Sequence, residues 1–250
     1  MRMTGNTILI TGGGSGIGRG WAEAFYALGN QVIIAGRRAE VLDAVVAAHP
    51  GMARVVFDVE DAGALPGFAA EVVAGFPALN VLINNAGIML AENMLAEPYG
   101  LADAEAMVVT NLLGPIRLTA ALLPQLRAQT RAAVLNVSSG LAFVPLAIAP
   151  TYSATKAALH SWSQSLRHQL RKTSVQVIEV APPAVGTDLM PTSRGNPNAM
   201  QLADYIAETM ALLTAEPEAH EILVERVKRL RLADSSGTFE QVFAMINPAA

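Results

Sequence analysis

The chain contains no cysteine. Disulfides, thiolate metal centres and cysteine nucleophiles are therefore excluded. Charge is scarce as well: only 15% of the 250 residues are Asp, Glu, Lys or Arg, and they sum to −4. A nucleic-acid-binding face needs a basic excess to displace condensed counterions, and this composition does not supply one. Aromatics make up 5%, and lysine is rarer still, three against fourteen arginines. Although the mean hydropathy is +0.37, long apolar runs are missing. The longest weakly polar stretch, Leu141 to Pro150, holds two prolines and falls short of the ~20 residues a membrane span needs. After Met1-Arg2-Met3 comes Thr-Gly-Asn rather than the apolar core of a secretory signal. The expectation is a cytoplasmic protein with no membrane or nucleic-acid partner.

What is plentiful is apolar surface: 52% of residues are hydrophobic, enough for one domain with a deep core. Strands are expected at Thr7–Thr11, Gln31–Ala35, Ala53–Phe57, Asn80–Asn84, Ala132–Val137 and Val175–Val180. They are rich in Val, Ile and Leu with little alternation, as parallel strands covered on both faces are. Between them, Ile17–Leu28, Ala39–Ala48, Ala62–Gly75, Asp103–Leu126 and Tyr152–Arg171 carry apolar residues at helical spacing. This alternation predicts an α/β fold, a doubly wound parallel sheet with helices on both faces, in a single domain over 1–250. Beyond Val180, prolines 182, 183, 191 and 197 mark an irregular segment. A lid is expected over about 186–215, with a helix near Leu202–Leu213. Glu221–Leu232 reads as either strand or helix, and a last helix is expected near Phe239–Ile246.

The first strand runs into Thr11-Gly12-Gly13-Gly14-Ser15-Gly16-Ile17-Gly18, and a helix follows. Glycines let backbone amides approach a phosphate, and the helix N-terminus offers unpaired N–H groups to it. A glycine turn alone is weak evidence; its place between the first strand and first helix points to a dinucleotide. The second strand ends Gly36-Arg37-Arg38, with no acid to bond a ribose 2′-hydroxyl. Two guanidiniums there suit a 2′-phosphate, so NADP(H) is expected over NAD(H).

Tyr152 and Lys156 stand four apart, on one helix face. A nearby ammonium is expected to lower the phenol's pKa and fit it for proton transfer to a carbonyl oxygen. Ser139, closing the fifth strand, offers a hydroxyl for that oxygen. Asn84-Asn85-Ala86-Gly87 closes the fourth strand, and Asn111 sits in a helical stretch where asparagine is mildly unfavourable.

Taken in order, Thr-Gly-x-x-x-Gly-x-Gly, Asn-Asn-Ala-Gly, Asn111, Ser139 and Tyr152-x-x-x-Lys156 resemble the short-chain dehydrogenase/reductase family over roughly residues 4 to 190. The resemblance implies a Rossmann-type fold, a nicotinamide cofactor, and Tyr152 as catalytic acid/base. It implies that Lys156 bonds the nicotinamide ribose and lowers the tyrosine pKa, that Ser139 orients the carbonyl, and that Asn111 holds a water in a proton relay. Gly12, Ser15, Gly16, Ile17 and Gly18 would form the phosphate turn; Asn85, Ala86 and Gly87 would line the adenine-ribose side. Asp58-Val59 matches the adenine contact, although Asp58 is nearly as well explained as a helix cap. Many relatives carry Pro-Gly after the sixth strand, where this chain has Pro182-Pro183-Ala184-Val185-Gly186-Thr187. That double proline resembles the branch of DltE-like oxidoreductases. Val185 would meet the carboxamide and Thr187 the phosphates, with Pro182 beside them. The family's usual final strand is not evident in this sequence.

Leu141, Phe143, Val144 and Leu146, with Ala184, Leu189 and Met190, are the expected substrate wall; Met200 is expected to help close it, and Arg194 is the one nearby group suited to a phosphate or carboxylate. Apolar walls around one polar cluster suit a hydrophobic, bulky or aromatic ketone. The four histidines, 49, 160, 168 and 220, show no ligand spacing, and no metal is expected. The leading expectation is an NADPH-dependent carbonyl reductase/alcohol dehydrogenase, a homodimer or homotetramer assembled through the long helices near Ala104–Leu123 and Ser153–Arg171. Alternatives are a β-ketoacyl-carrier reductase and a non-catalytic NADP(H) sensor.

Overall fold

Every residue of Thr7–Thr11 (β1) and of Ala132–Val137 (β5) is buried. Strands with no polar face must be covered on both sides. In this computed structural model, which describes residues 1–190 and 196–248, they are. Gln31–Gly36 (β2), Ala53–Val56 (β3), Leu79–Asn84 (β4), Val175–Val180 (β6) and Glu221–Ile222 (β7) complete one sheet in the order β3-β2-β1-β4-β5-β6-β7. Every pairing is parallel, with Thr7 opposite Gln31 and Ala132 opposite Val175.

Successive β1 residues point to opposite faces. Ile8 and Ile10 pack with Trp21, Phe25 and Tyr205, contributed by Gly16–Ala27 (α1) and Leu202–Ala215 (α7). Ala39–Ala48 (α2) adds Leu42 and Val45 to the same side. Leu9 joins Phe68 of Leu65–Gly75 (α3), Leu118 and Leu122 of Gly114–Ala128 (α5), and Leu166 of Pro150–Leu170 (α6) on the other. Glu225–Arg231 (α8) and Phe239–Ile246 (α9) follow β7. Val144 packs with Val242 of α9 and with Ala233.

Several boundaries differ from the sequence reading. The third helix starts at Leu65, not Ala62, because the Asp61 carboxylate accepts from the amides of Gly63 and Ala64 and holds a turn there. Glu221–Leu232 is both alternatives in succession: two residues of β7, then α8. The final strand that seemed missing is thus present, only too short to show a pattern. The long fourth helix is Ala102–Val108 (α4), a π turn at Val109–Leu113, and α5. Pro115 lacks the N–H that would bond the Asn111 carbonyl, and the Gly114 amide reaches five residues back to Val109. The reading that no segment reaches span length is corrected too: Ala102–Ala128 is long and apolar enough by composition. Its buried side, Met107, Leu118, Leu122 and Leu126, is engaged within the protein.

Candidate active site

Strand order reverses between β1 and β4, and the carboxyl ends of those strands open a crevice there. Thr11 ties the two together: its hydroxyl accepts from the amides of Asn85 and Ala86, both at 3.1 Å. Asn85 Nδ2 donates back to the Thr11 carbonyl at 2.9 Å. The turn needs its glycines. Gly12 has φ +67°, and a Cβ on Gly18 would lie 2.4 Å from both Asn85 Nδ2 and the Gly12 carbonyl. Ser15, the N-cap of α1, makes no side-chain cap. The first amides of a twelve-residue helix are left without a side-chain partner beside the crevice that Ser15 lines.

That crevice is a cleft of about 330 Å³. Gly12, Ser15, Arg37, Arg38, Asp58, Val59, Ala86 and Gly87 line it. Thr187 sits over Gly16, whose Cβ would meet Thr187 Cγ2 at 3.4 Å. Ile17 packs against the core, and Asn85 braces the turn rather than lining the cleft. The Pro182 carbonyl accepts from the Gly140 amide at 2.8 Å. Val185 turns its side chain into the core, and its carbonyl accepts from the Thr187 amide.

Arg37 is not free at the cleft edge. Its Nη1 lies 3.4 Å from Glu60 Oε1 and 3.9 Å from Asp58 Oδ2. Glu60, which also accepts from Thr110 Oγ1 at 2.6 Å, was missed by sequence reasoning, since nothing local marks it. Arg38 makes no ion pair among the described residues. Asp58 lines the cleft and does not cap the next helix: its Oδ1 accepts from the Glu60 amide in a local turn, and α3 begins only at Leu65.

Where the cleft meets β5 and α6, the polar cluster assembles. Ser139 Oγ accepts from the Leu141 amide at 3.1 Å and lies near enough to the Tyr152 phenol to favour its ionised form. Lys156 Nζ lies 5.6 Å from the Tyr152 ring centroid and donates to the Val137 carbonyl at 2.9 Å. Asn111, fully buried in the π turn, clasps Ile88: its Oδ1 accepts from the amide and its Nδ2 donates to the carbonyl, both at 2.9 Å. A Cβ on Gly87 would come within 3.2 Å of Asn111 Oδ1 and 3.6 Å of Lys156 Nζ, so the Asn-Asn-Ala-Gly turn abuts the cluster. Behind it, Asn84 Nδ2 donates to Thr119 and Asn136, and Asn136 to Ser163. This buried lattice joins β4, β5, α5 and α6.

One expectation is reversed here. Burial pushes Tyr152 up to about 12, against the smaller downward pull of Ser139. The same burial brings Lys156 down to about 8. Desolvation disfavours the charged form of each group.

Leu141, Leu146 and Met190 gather around Tyr152 with Met89, Met107 and Ala149. Leu189 is exposed beside them, and Ala184 is exposed with its carbonyl accepting from Met200. Phe143 and Val144 are corrections. Val144 is fully buried against Ala233 and α9, and the Phe143 ring meets His160 and lies under Arg231. The short 3₁₀ turn at Gly140–Ala142 sends them towards the C-terminal helices. Met200 belongs to the core on the α1 side, and Arg194 lies outside the described residues. Sequence reasoning missed Met89 and Met107, although Met89 stands only two residues after the Asn-Asn-Ala-Gly turn.

Comparison with known proteins agrees with this geometry. The short chain dehydrogenase family model matches residues 6–198. An oxidoreductase of Bacillus subtilis (strain 168), DltE, itself described as uncharacterized, is 41% identical over 249 residues, covering 97% of this chain and 98% of that one. A short-chain dehydrogenase from Streptomyces avermitilis has a TM-score of 0.82 at 30% identity, over 97% of each chain. A serine dehydrogenase in closed form, complexed with NADP+, has a TM-score of 0.75 at 28% identity, over 83% of this chain and 88% of that one. The chain belongs to the short-chain dehydrogenase family of oxidoreductases, and within it resembles the DltE-like branch.

Proposed function

We propose that this protein is an NADPH-dependent carbonyl reductase, running in reverse as an alcohol dehydrogenase, on hydrophobic ketones of bulky or aromatic kind. The observation that carries this reading is the convergence of Ser139, Tyr152, Lys156 and Asn111 at the end of a glycine-floored cleft, under an apolar wall. The residues fit a dinucleotide: Gly12 and Gly18 let the turn close against Asn85 and Ala86, where a Cβ would collide, and α1 starts beside the cleft with no side-chain cap on its first amides. When bound, NADPH supplies a hydride from nicotinamide C4 to the carbonyl carbon.

The chain's own groups handle the oxygen. Ser139 donates to the carbonyl oxygen and orients it, and the Tyr152 hydroxyl gives its proton as negative charge develops there. Lys156 stabilises the resulting phenolate, and Asn111 holds a water through which the proton is replaced. Arg37 and Arg38 favour the 2′-phosphate, and a relative holding NADP+ supports that choice. A serine dehydrogenase among the relatives favours a second reading, a small polar 3-hydroxy acid substrate. The methionine and leucine wall around Tyr152 favours the apolar ketone. The protein acts in the cytoplasm as a homodimer or homotetramer. The long apolar α4–α5 helix, with Leu101 and Val108 exposed at its start, supports this assembly.

Initial rates of NADPH and NADH oxidation, taken over aryl ketones, alkyl ketones and 3-oxo acids, test the reading. A rate linked to NADPH on bulky ketones is expected. Preference for NADH, or for 3-oxo acids, would overturn the corresponding part.

A further inference from the structure

The reacting groups are carried by two segments, with Ser139 two residues past the end of β5 and Tyr152 and Lys156 on α6. Behind the site, one buried carboxylate joins the two. Glu179, on β6, is 1% exposed. One of its oxygens accepts from the hydroxyl of Ser138, the residue before Ser139. Its other oxygen stands 2.7 Å from His160 Nδ1. His160 lies one turn of α6 beyond Lys156, so Tyr152, Lys156 and His160 follow one another at four-residue spacing. A carboxylate this far from water is costly unless both oxygens are bonded. Here one bond reaches β5 and the other reaches α6.

The surroundings hold this bracket in place. Gln164 Nε2 lies 2.9 Å from the other ring nitrogen of His160, and the Phe143 ring meets the imidazole edge-on at 4.9 Å. From β7, Glu221 approaches: ligand-type atoms of His160, Glu179 and Glu221 fall within 4.8 Å of one another. That grouping is an ion-pair network rather than a cation site, because the Arg231 fork already bonds Glu221 at 2.8 and 3.1 Å. Arg167 of α6 adds a second guanidinium nearby, donating to the Val177 and His220 carbonyls at 2.9 and 2.8 Å.

We propose that Glu179 is a positioning residue for the reaction, setting the separation of Ser139 and Tyr152 by tying Ser138 to His160. The inference rests on the carbonyl-reductase reading. Side chains of neighbouring residues at an extended strand end point apart. Holding Ser138 therefore fixes the peptide that aims Ser139 at the phenol. Lys156 Nζ on the Val137 carbonyl and Asn136 Nδ2 on the Ser163 hydroxyl, both at 2.9 Å, also tie these two segments, but both hold β5 before Ser138 and neither sets the Ser139 peptide.

The test is ketone reduction by Glu179→Ala and Glu179→Gln, with kcat counted per NADPH-binding site. Misplacing a reacting group by about 1 Å costs on the order of 100-fold, and a loss of that size is expected for Glu179→Ala with the NADPH Kd unchanged. Glu179→Gln keeps an acceptor for Ser138 and an amide for the ring, and is expected to restore most of the rate. A per-site kcat near wild type in Glu179→Ala overturns the proposal. Should that variant fail to fold, Ser138→Ala and His160→Ala each cut one arm. Both are expected to slow kcat, with the double variant no slower than their shared loss; full additivity overturns the bracket. Amide exchange in the substrate-free protein decides the matter independently of substrate. Faster exchange at 138–146 in Glu179→Ala, or in the single-arm variants, is expected, and unchanged exchange overturns it. A wild type that reduces no ketone counts instead against the function.

Discussion

Tyr152 and Lys156 stand one helical turn apart, a spacing that by itself favours an ammonium lowering the phenol's pKa. Their spacing was legible in the sequence; their desolvation was not, because it comes from Met89, Met107, Met190 and other residues distant along the chain. Burial has a measurable consequence in the cofactor-free protein. Unfolded chains keep the Lys156 proton up to about 10.5, whereas the folded protein releases it near 8. Stability is therefore reduced below about pH 8 and recovers as pH rises from there towards 10.5. For Tyr152 the sign is opposite: the folded state keeps its proton to about 12, so that contribution is present below pH 10 and lost as pH rises through 12. Denaturant midpoints from pH 7 to 9.5 are expected to rise in the wild type relative to Lys156→Met; parallel profiles would contradict the burial argument. Arg37 carries a second prediction at this scale. Its Glu60 partner lies 23 residues away, out of reach of any sequence pattern. Arg37→Asp is expected to weaken NADPH binding by about 1.5–3 kcal/mol, the range for a charged hydrogen bond, and to leave NADH binding little changed. Titration of both dinucleotides checks this.

Among the elements, α6 has to present Tyr152 near its first turn, and its start is held from outside. Glu92 accepts from the Thr151 amide at 2.9 Å, the Thr151 hydroxyl at 2.8 Å and the Tyr99 hydroxyl at 2.8 Å. Burial would raise this carboxyl, but those three bonds outweigh it and leave Glu92 below its ordinary value. Its contribution is thus present above the usual carboxylate range and lost as pH falls through the depressed value. Glu92→Ala is expected to cost about 1 kcal/mol, a typical capping loss, and to slow turnover by loosening the residue before Tyr152. Thermal melts at pH 7 measure the loss, and a variant as stable as wild type would show the cap to be idle. No motif marks Glu92, because the clasp closes between a loop and a helix 59 residues apart. By contrast β1, β5, β6 and α9 were read with their observed ends, since each is a short run set off by turns. The π turn escaped, and β7 stayed one of two alternatives for Glu221–Leu232, because both depend on backbone bonds that composition does not encode.

For the molecule as a whole, a doubly wound sheet was legible from the alternation of short apolar runs and helical patterns, and the dinucleotide cleft from the glycine turn that follows β1. The direction of the chain after Ser139 was not. Phe143 and Val144 read as pocket wall, yet they pack under α8 and α9, whose docking no local pattern specifies. Assembly belongs to this scale as well. Mass measurement at micromolar concentration is expected to give a dimer or tetramer, and a monomer would remove the role assigned to α4–α5 and α6. The most direct test of the proposed chemistry is Tyr152→Phe, which keeps the ring and removes only the proton donor. Turnover of a ketone with NADPH is expected to fall by about 10²–10⁴-fold, the contribution of a positioned acid, while NADPH binding stays intact. A variant that binds NADPH and reduces the ketone at close to the wild-type rate would contradict Tyr152 as the acid.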